Sequence, residues 1–323
     1  MKSVLLFLAF LFIVAATTLW IRHGGGEPYP DLTQPPELGS DALESVLAYP
    51  EPVGNVAVSR DGRIFFTVHP EARPHGNKLL EYVDGASVPY PSLRQQAELF
   101  DTPLGIAIDR LNRLWVIDHG NHGLRSARIV AIDLDNGSVV RDQYFDATID
   151  ASFWRKSPAL IVYDVETGTA RRVLEGHKSV SAEDFVIQSG DQKMEFLGGM
   201  AVLRGGVDGI ALGKEWLYWG ALSGSNLYRI QLKHLRNSEL PESQLAKVLE
   251  RVSEKPLSDG LSIDTAGNVY ITDIALSFGP DGYLYIADSA LPELILKSND
   301  HIKAQGPYRI FRFKPGFEGV PGQ

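Results

Sequence analysis

A phrase of about fifteen residues recurs along this chain: an alternating apolar strand, a tight Asp/Gly/Asn turn, and a second apolar strand, the pattern of a β-hairpin. Gly54-Asn55-Val56-Ala57-Val58, running into Ile64-Phe65-Phe66, is the first copy. Leu104-Gly105-Ile106-Ala107-Ile108-Asp109 runs into Leu114-Trp115-Val116-Ile117-Asp118, and Asp208-Gly209-Ile210-Ala211-Leu212 into Trp216-Leu217-Tyr218-Trp219. Asp259-Gly260-Leu261-Ser262-Ile263-Asp264 runs into Val269-Tyr270-Ile271-Thr272-Asp273, and a fifth copy, Leu276-Ser277-Phe278 into Tyr283-Leu284-Tyr285, follows at once. Hairpins repeated at long, regular spacing are the mark of a β-propeller.

Spacing tests that reading. Taking the aromatic residue of each second strand as a marker, Phe65 to Trp115 is 50 residues and Tyr218 to Tyr270 is 52. One blade of four short strands needs about 40 to 50 residues, so the chain predicts close to six blades. WD repeats are too short and end in Trp-Asp, and the paired glycines of kelch repeats do not recur. Two places break the rhythm. Tyr270 to Tyr285 is only 15 residues, so the outer strands of one blade are missing. The second break lies near Tyr144 to Asp150, where Ala147 to Phe153, followed by Ala159 to Asp164, is the candidate for the third blade. The expectation is an all-β, six-bladed β-propeller with one or two blades truncated.

With 44% hydrophobic residues among 323, the chain can bury a large core, and 31 Gly with 19 Pro suit a turn-rich β protein. A net charge of −9 with no basic stripe argues against nucleic acid as a partner. No cysteine is present, which removes disulfides, thiolate metal sites and Cys nucleophiles together. Lys2 followed by an apolar run from Val4 to Trp20 reads as a secretory signal, with cleavage after Ala16, or as a retained signal anchor. Either places the domain outside the cytoplasm, secreted or periplasmic, with membrane contact only through the N-terminal segment. The division expected is 1–22 signal or anchor, 23–41 a Gly/Pro-rich linker, and 42–323 the propeller.

Several of these strings, in order, resemble the Yellow/major royal jelly protein family: Leu104 to Asp109, Arg113 to Asp118, Val130 to Leu134, Ala159 to Asp164, Gly206 to Leu212, Leu227 to Ile230 and Ser258 to Gly260. The resemblance implies a six-bladed, usually secreted propeller. Some insect members convert dopachrome, some bind small amines and some are nutritive or structural. The chain departs from the family in lacking cysteines, in its two breaks, and in carrying Asp118-His119-Gly120-Asn121-His122 where relatives commonly have Thr after the Asp. One fold hosts many activities, so the resemblance bears on architecture more than on chemistry.

In a propeller the innermost strand of each blade lines the channel, and its start opens on one face. Asn55, Asp208 and Asp259 occupy equivalent strand starts and should point at the channel mouth. Two carboxylates and an amide oxygen converging there would suit a hard cation, calcium above all. Gluconolactonase/regucalcin and paraoxonase propellers look similar at these positions. The competing explanation is that Asp-Gly recurs because it makes good turns, as assigned to Asp61, Asp264 and Asp281. His119 and His122 follow a second strand, and His69 follows the equivalent strand of the first blade, so His69 and His119 could line one pocket over the channel. Arg171-Arg172 reads as part of a solvated face, and Leu235 to Lys247 as a surface excursion between strands. No nucleophile elbow, phosphate loop or dinucleotide fingerprint occurs.

Three functions compete. The first is a Yellow-like propeller that binds a small polar or aromatic molecule at the channel mouth and isomerises it, as dopachrome-converting relatives do, with Asp208, Asp259 and His119 as acid/base groups. The second is a calcium-dependent lactonase with Asn55, Asp208 and Asp259 on the cation. The third is a non-catalytic binding or scaffold protein.

Overall fold

The computed structural model describes residues 2–30, 32, 34–149, 157–189 and 192–323. Within them the domain is an all-β propeller with four complete four-stranded antiparallel blades. The first blade is Val53–Val58, Ile64–Val68, Leu79–Val83 and Ala86–Pro89. The second is Pro103–Ile108, Arg113–Asp118, Arg128–Asp133 and Val139–Tyr144, and the third Val207–Leu212, Trp216–Ala221, Asn226–Gln231 and Glu250–Glu254. The last complete blade runs Leu276–Phe278, Leu284–Ala287, Tyr308–Phe313 and then Glu44–Tyr49, so a strand from near the start of the domain closes the ring on the C-terminal blade.

Spacing predicts six blades, and the shortfall falls at the two breaks in the sequence. Between the second and third complete blades lie Phe185–Val186, paired in parallel with Glu27–Pro28, two hairpins of two-residue strands (Gln188–Ser189/Gln192–Lys193 and Glu195–Phe196/Ala201–Val202), and the longer hairpin Leu160–Tyr163/Ala170–Val173. Tyr163 donates to Gln143 Oε1 at 2.7 Å on the outermost strand of the second blade, so this hairpin sits outboard. Asp150 to Phe153, part of the segment expected to supply the missing inner strand, lie outside the described residues. Between the third and last blades lies only the hairpin Gly260–Ile263/Val269–Thr272, and here the inner position is kept: Gly260–Ile263 packs against Val207–Leu212 on one side and Leu276–Phe278 on the other.

Apolar clusters fill the spaces between neighbours in the ring. Val56, Phe66 and Leu80 meet Tyr285 and Ile310, and Phe65 and Leu79 meet Ile106, Leu114 and Val130. Leu160 and Val173 of the outboard hairpin meet Trp219 and Ile230, while Leu261 and Ile263 of the inner hairpin meet Ala211 and Tyr218. The hairpin turns carry one recurring device. Asp109 accepts from Arg113 N–H at 3.0 Å and Trp115 Nε1 at 2.8 Å, and Asp264 accepts from Asn268 N–H and Tyr270 Oη, both at 2.9 Å. This ties each turn to the aromatic residue that marks its second strand, as expected for Asp264.

One surface reading is refined and one is corrected. The segment from Leu235 to Lys247 includes parts of the short helices Leu232–Arg236 and Glu242–Val248, which bury Leu235 and Leu245 in the core. Arg171 and Arg172 are half-buried, donating to the carbonyls of Leu235 and Ser157, because the outboard hairpin needs polar anchors to its flanks. The C-terminal segment crosses the inner strands. Thr265 N–H donates to Glu318 O at 2.8 Å, Ile108 N–H to Gly322 O at 2.9 Å, and Phe278 N–H to Gln323 O at 2.8 Å.

Candidate functional site at the channel mouth

The repeated glycine of the sequence phrase is a strand residue, not a turn. In three blades the ladder slips at this point: between Val53 and Asn55, Pro103 and Ile106, and Val207 and Ile210. Such bulges re-aim side chains and cluster near functional sites. Neighbouring inner strands approach so closely here that a Cβ on Gly54 would meet Leu104 Cδ1 at 2.7 Å, and one on Gly209 would meet Asp259 O at 2.8 Å. Glycine is what lets the strand starts converge.

That convergence brings Asp208 and Asp259 together, their carboxyls hydrogen-bonded to each other. Asp208 is exposed to solvent although protein crowds it closely, and Asp259 is half-buried. Desolvation by that crowding raises the pKa of Asp208 to about 6, and burial with the neighbouring charge of Asp208 raises that of Asp259 well above the usual range. Both carboxyls are thus pushed toward the protonated form, and each depends on the charge of the other. Asp273, directly after the second strand of the same hairpin, is also raised by burial.

A residue that sequence reasoning passed over completes the cluster. Lys255 is 1% exposed, and its Nζ donates to Pro256 O and Ser258 Oγ, each at 2.9 Å. Burial lowers its pKa to about 8, against the opposing pull of Glu183, Asp208 and Asp273. Room for its stem exists because residue 220 is glycine: a Cβ there would meet Lys255 Cε at 2.2 Å. Tyr29, in the segment expected to be linker, donates to Lys255 O at 2.5 Å.

Asn55 stands elsewhere in the ring, on a strand flanked by Pro103–Ile108 and Leu276–Phe278, and turns its Oδ1 to Val56 N–H at 2.8 Å. Among the described residues no group of three or more His, Asp or Glu is arranged to hold a metal ion.

The histidines form a second cluster, on loops that follow the second strands of the first two blades. His69 is buried with its Nδ1 accepting from Glu71 N–H at 3.2 Å, and burial lowers its pKa to about 4. His119 Nδ1 accepts from His122 N–H at 3.1 Å, the two rings lying 4.7 Å apart. His119 is lowered by burial, whereas the hydrogen bond to Glu71 raises His122. The loop is held open by three successive left-handed residues, Gly120, Asn121 and His122, at φ of 64, 51 and 55°. Asp118 staples its base, accepting from Thr102 N–H at 3.0 Å and Gly120 N–H at 2.9 Å. His69 and His119 thus share one cluster, with Glu71 as the residue the sequence did not single out.

The fold is that of a β-propeller, with paired carboxyls at two of its inner-strand starts. The chain matches the major royal jelly protein family over residues 102–152 and 154–279, more than half its length, and it belongs to that family. Among curated proteins none matches. Solved structures similar to it include a gluconolactonase from Xanthomonas campestris, at 14% identity and TM-score 0.46, covering 90% of this chain and 98% of that one. A luciferin-regenerating enzyme aligns at 11% identity and TM-score 0.44 over 87% of this chain and 97% of that one. Virginiamycin B lyase from Staphylococcus aureus aligns at 14% identity and TM-score 0.37, over 76% and 81%. Likenesses this distant leave the architecture to be read from the blades themselves and say nothing of activity.

Proposed function

We propose that this protein is an extracytoplasmic Yellow-like propeller that binds a small polar or aromatic molecule at its channel mouth and moves a proton on it, a dopachrome-type tautomerisation. The observation that carries the reading is the hydrogen-bonded Asp208–Asp259 pair beside buried Lys255. Tautomerisation removes a proton from one atom and delivers one to another. A pair sharing one proton can do both, its ionised member accepting while its protonated member donates, and ends with the proton count it began with. Lys255 would steady negative charge developing on the substrate oxygen. His119, in the separate histidine cluster of the second blade, would be a second neutral base, favoured by its lowered pKa.

The ring reads as six positions. The third position would comprise the outboard hairpin and the short strand pairs that follow it, and the fifth the inner hairpin that carries Asp259 to Asp208. Residues 1–22 act as signal or anchor, 23–41 as linker and 42–323 as the propeller; the helix Lys2–His23 is long and apolar enough to cross a membrane.

A dopachrome assay on the wild type, Asp208→Asn and Asp259→Asn tests the reading. Each variant should lose about a hundredfold or more in kcat/KM, the usual scale of positioned acid/base catalysis. A wild type inactive on dopachrome, yet hydrolysing lactones until a chelator is added, would establish the calcium-dependent lactonase instead. Inactivity in both assays, with a ligand co-purifying by mass spectrometry, would leave a binding protein.

A further inference from the structure

A pocket whose lining does not include the carboxyl pair lies between the segment 178–183 and the outer strands of the third complete blade. It encloses about 380 Å³ and is lined by Lys178, Ser181, Glu183, Asn226, Tyr228 and Arg251, with Ala182 between. That volume is within the usual range of small-molecule sites, roughly 300 to 1,000 Å³.

Its polar groups are unequally engaged. Glu183 has both oxygens occupied, one by Ser225 Oγ at 2.7 Å and the other by Asn226 Nδ2 at 3.0 Å. Asn226 is spent as well, since its Oδ1 accepts from Arg251 Nε. The cations are not spent. Arg251 reaches a carboxylate only at 3.5 Å, on Glu254, and its side chain is 52% exposed. Among the described residues Lys178 makes no ion pair, and it is exposed. Lys178 and Arg251 are balanced in number by Glu183 and Glu254, but Glu183 is already satisfied within the fold and Glu254 meets Arg251 only at 3.5 Å, so both cations keep donors to spare. The remaining wall is aromatic: Tyr228 is stacked on Trp219 at 6.2 Å and 25°, which fixes its ring.

From this arrangement we infer that the cavity binds a small organic carboxylate with a planar apolar body, its anionic end between Lys178 and Arg251 and its ring against Tyr228. Charge-assisted hydrogen bonds from a lysine and a guanidinium select the carboxylate over a neutral analogue. Asn226 sets the guanidinium from behind.

Titration calorimetry of the full chain with benzoate and with benzamide, at low and moderate salt, tests the inference. Benzoate should bind with an affinity that falls as salt rises, and benzamide should not bind measurably. Lys178→Ala and Arg251→Ala should each weaken benzoate by about tenfold, one lost charge-assisted contact. Because Arg251 also holds Asn226, the Lys178 variant, which removes no hydrogen bond of the fold, decides if Arg251→Ala melts early. Asp208→Asn should leave benzoate binding unchanged, so failure of the channel-mouth reading and failure of this one are separable. Absence of benzoate binding, equal binding of benzamide, or unchanged affinity in Lys178→Ala would overturn the assignment.

Discussion

His122 of the second blade sets its Nε2 2.5 Å from Glu71 Oε1 of the first, joining two loops that are far apart in sequence. Behind this contact His69 is buried and neutral, and the two environments respond to acid in opposite ways. The Glu71 hydrogen bond raises His122, so its contribution is fully present below the unfolded pKa and fades as pH rises through the folded one. His69 has its folded pKa lowered from 6.5 to about 4, so in that window the unfolded chain takes up a proton that the native chain refuses. Stability from this group therefore falls as pH drops from about 6.5 to 4, by up to about 3 kcal/mol. Thermal melts of the wild type and His69→Gln at pH 7.5 and 4.5 check this. The wild type should lose more between the two than the variant does; parallel losses would contradict it.

Asp208 shows the reverse dependence. Its folded pKa is raised to about 6, so between about 4 and 6 the native state holds a proton that the unfolded state releases. Stability from this group is present in acid and lost as pH rises through that window. In thermal melts Asp208→Asn should therefore gain on the wild type as pH rises from 4 to 7.5, by an amount that the exposure of Asp208 keeps small. A variant with no such gain would mean that the carboxyl is not under strain.

Lys255 depends on a missing side chain. Gly220→Ala would place a Cβ 2.2 Å from Lys255 Cε and 2.9 Å from Cδ. Overpacking of this kind costs about 1 to 3 kcal/mol, and it should also displace the ammonium from Ser258. Denaturant unfolding gives the first effect. The second would appear as a lysine side-chain resonance returning toward its ordinary pKa from the lowered value of about 8.

The C-terminal crossing offers a test of the ring itself. Gly319 lies on Phe278, where a Cβ would come within 2.0 Å of the ring. Phe278 is fully buried, so Gly319→Ala should destabilise by about 1 to 3 kcal/mol although the position is near the chain's end. An unchanged unfolding midpoint would show that residues 318–323 do not brace the inner strands.

Most of the ring is legible in the amino-acid order alone. The spaced aromatic markers locate the blades, because a hairpin's alternation and turn chemistry are local. Asp208 and Asp259 can be found because they open equivalent strands. The blade count is less legible. Spacing counts positions in the ring but does not tell a four-stranded blade from a surviving hairpin such as Gly260–Ile263/Val269–Thr272. Lys255 is hidden because Glu-Lys-Pro reads as a solvated surface run; its burial comes from Gly220 on another strand. Glu71 is hidden in the same way, since its partner His122 belongs to another blade. Asn55 opens an equivalent strand, and its Oδ1 is engaged by the next residue's N–H, a local contact that strand spacing does not report.

The central claim is that Asp208 and Asp259 share a proton at the channel mouth. Carbon-detected NMR titration of the aspartate side-chain carboxyls, assigned with Asp208→Asn and Asp259→Asn, measures it directly. Asp208 should titrate near pH 6 and Asp259 well above the ordinary range, and removing either partner should shift the other. Two independent titrations near the ordinary aspartate value of about 3.9 would contradict it.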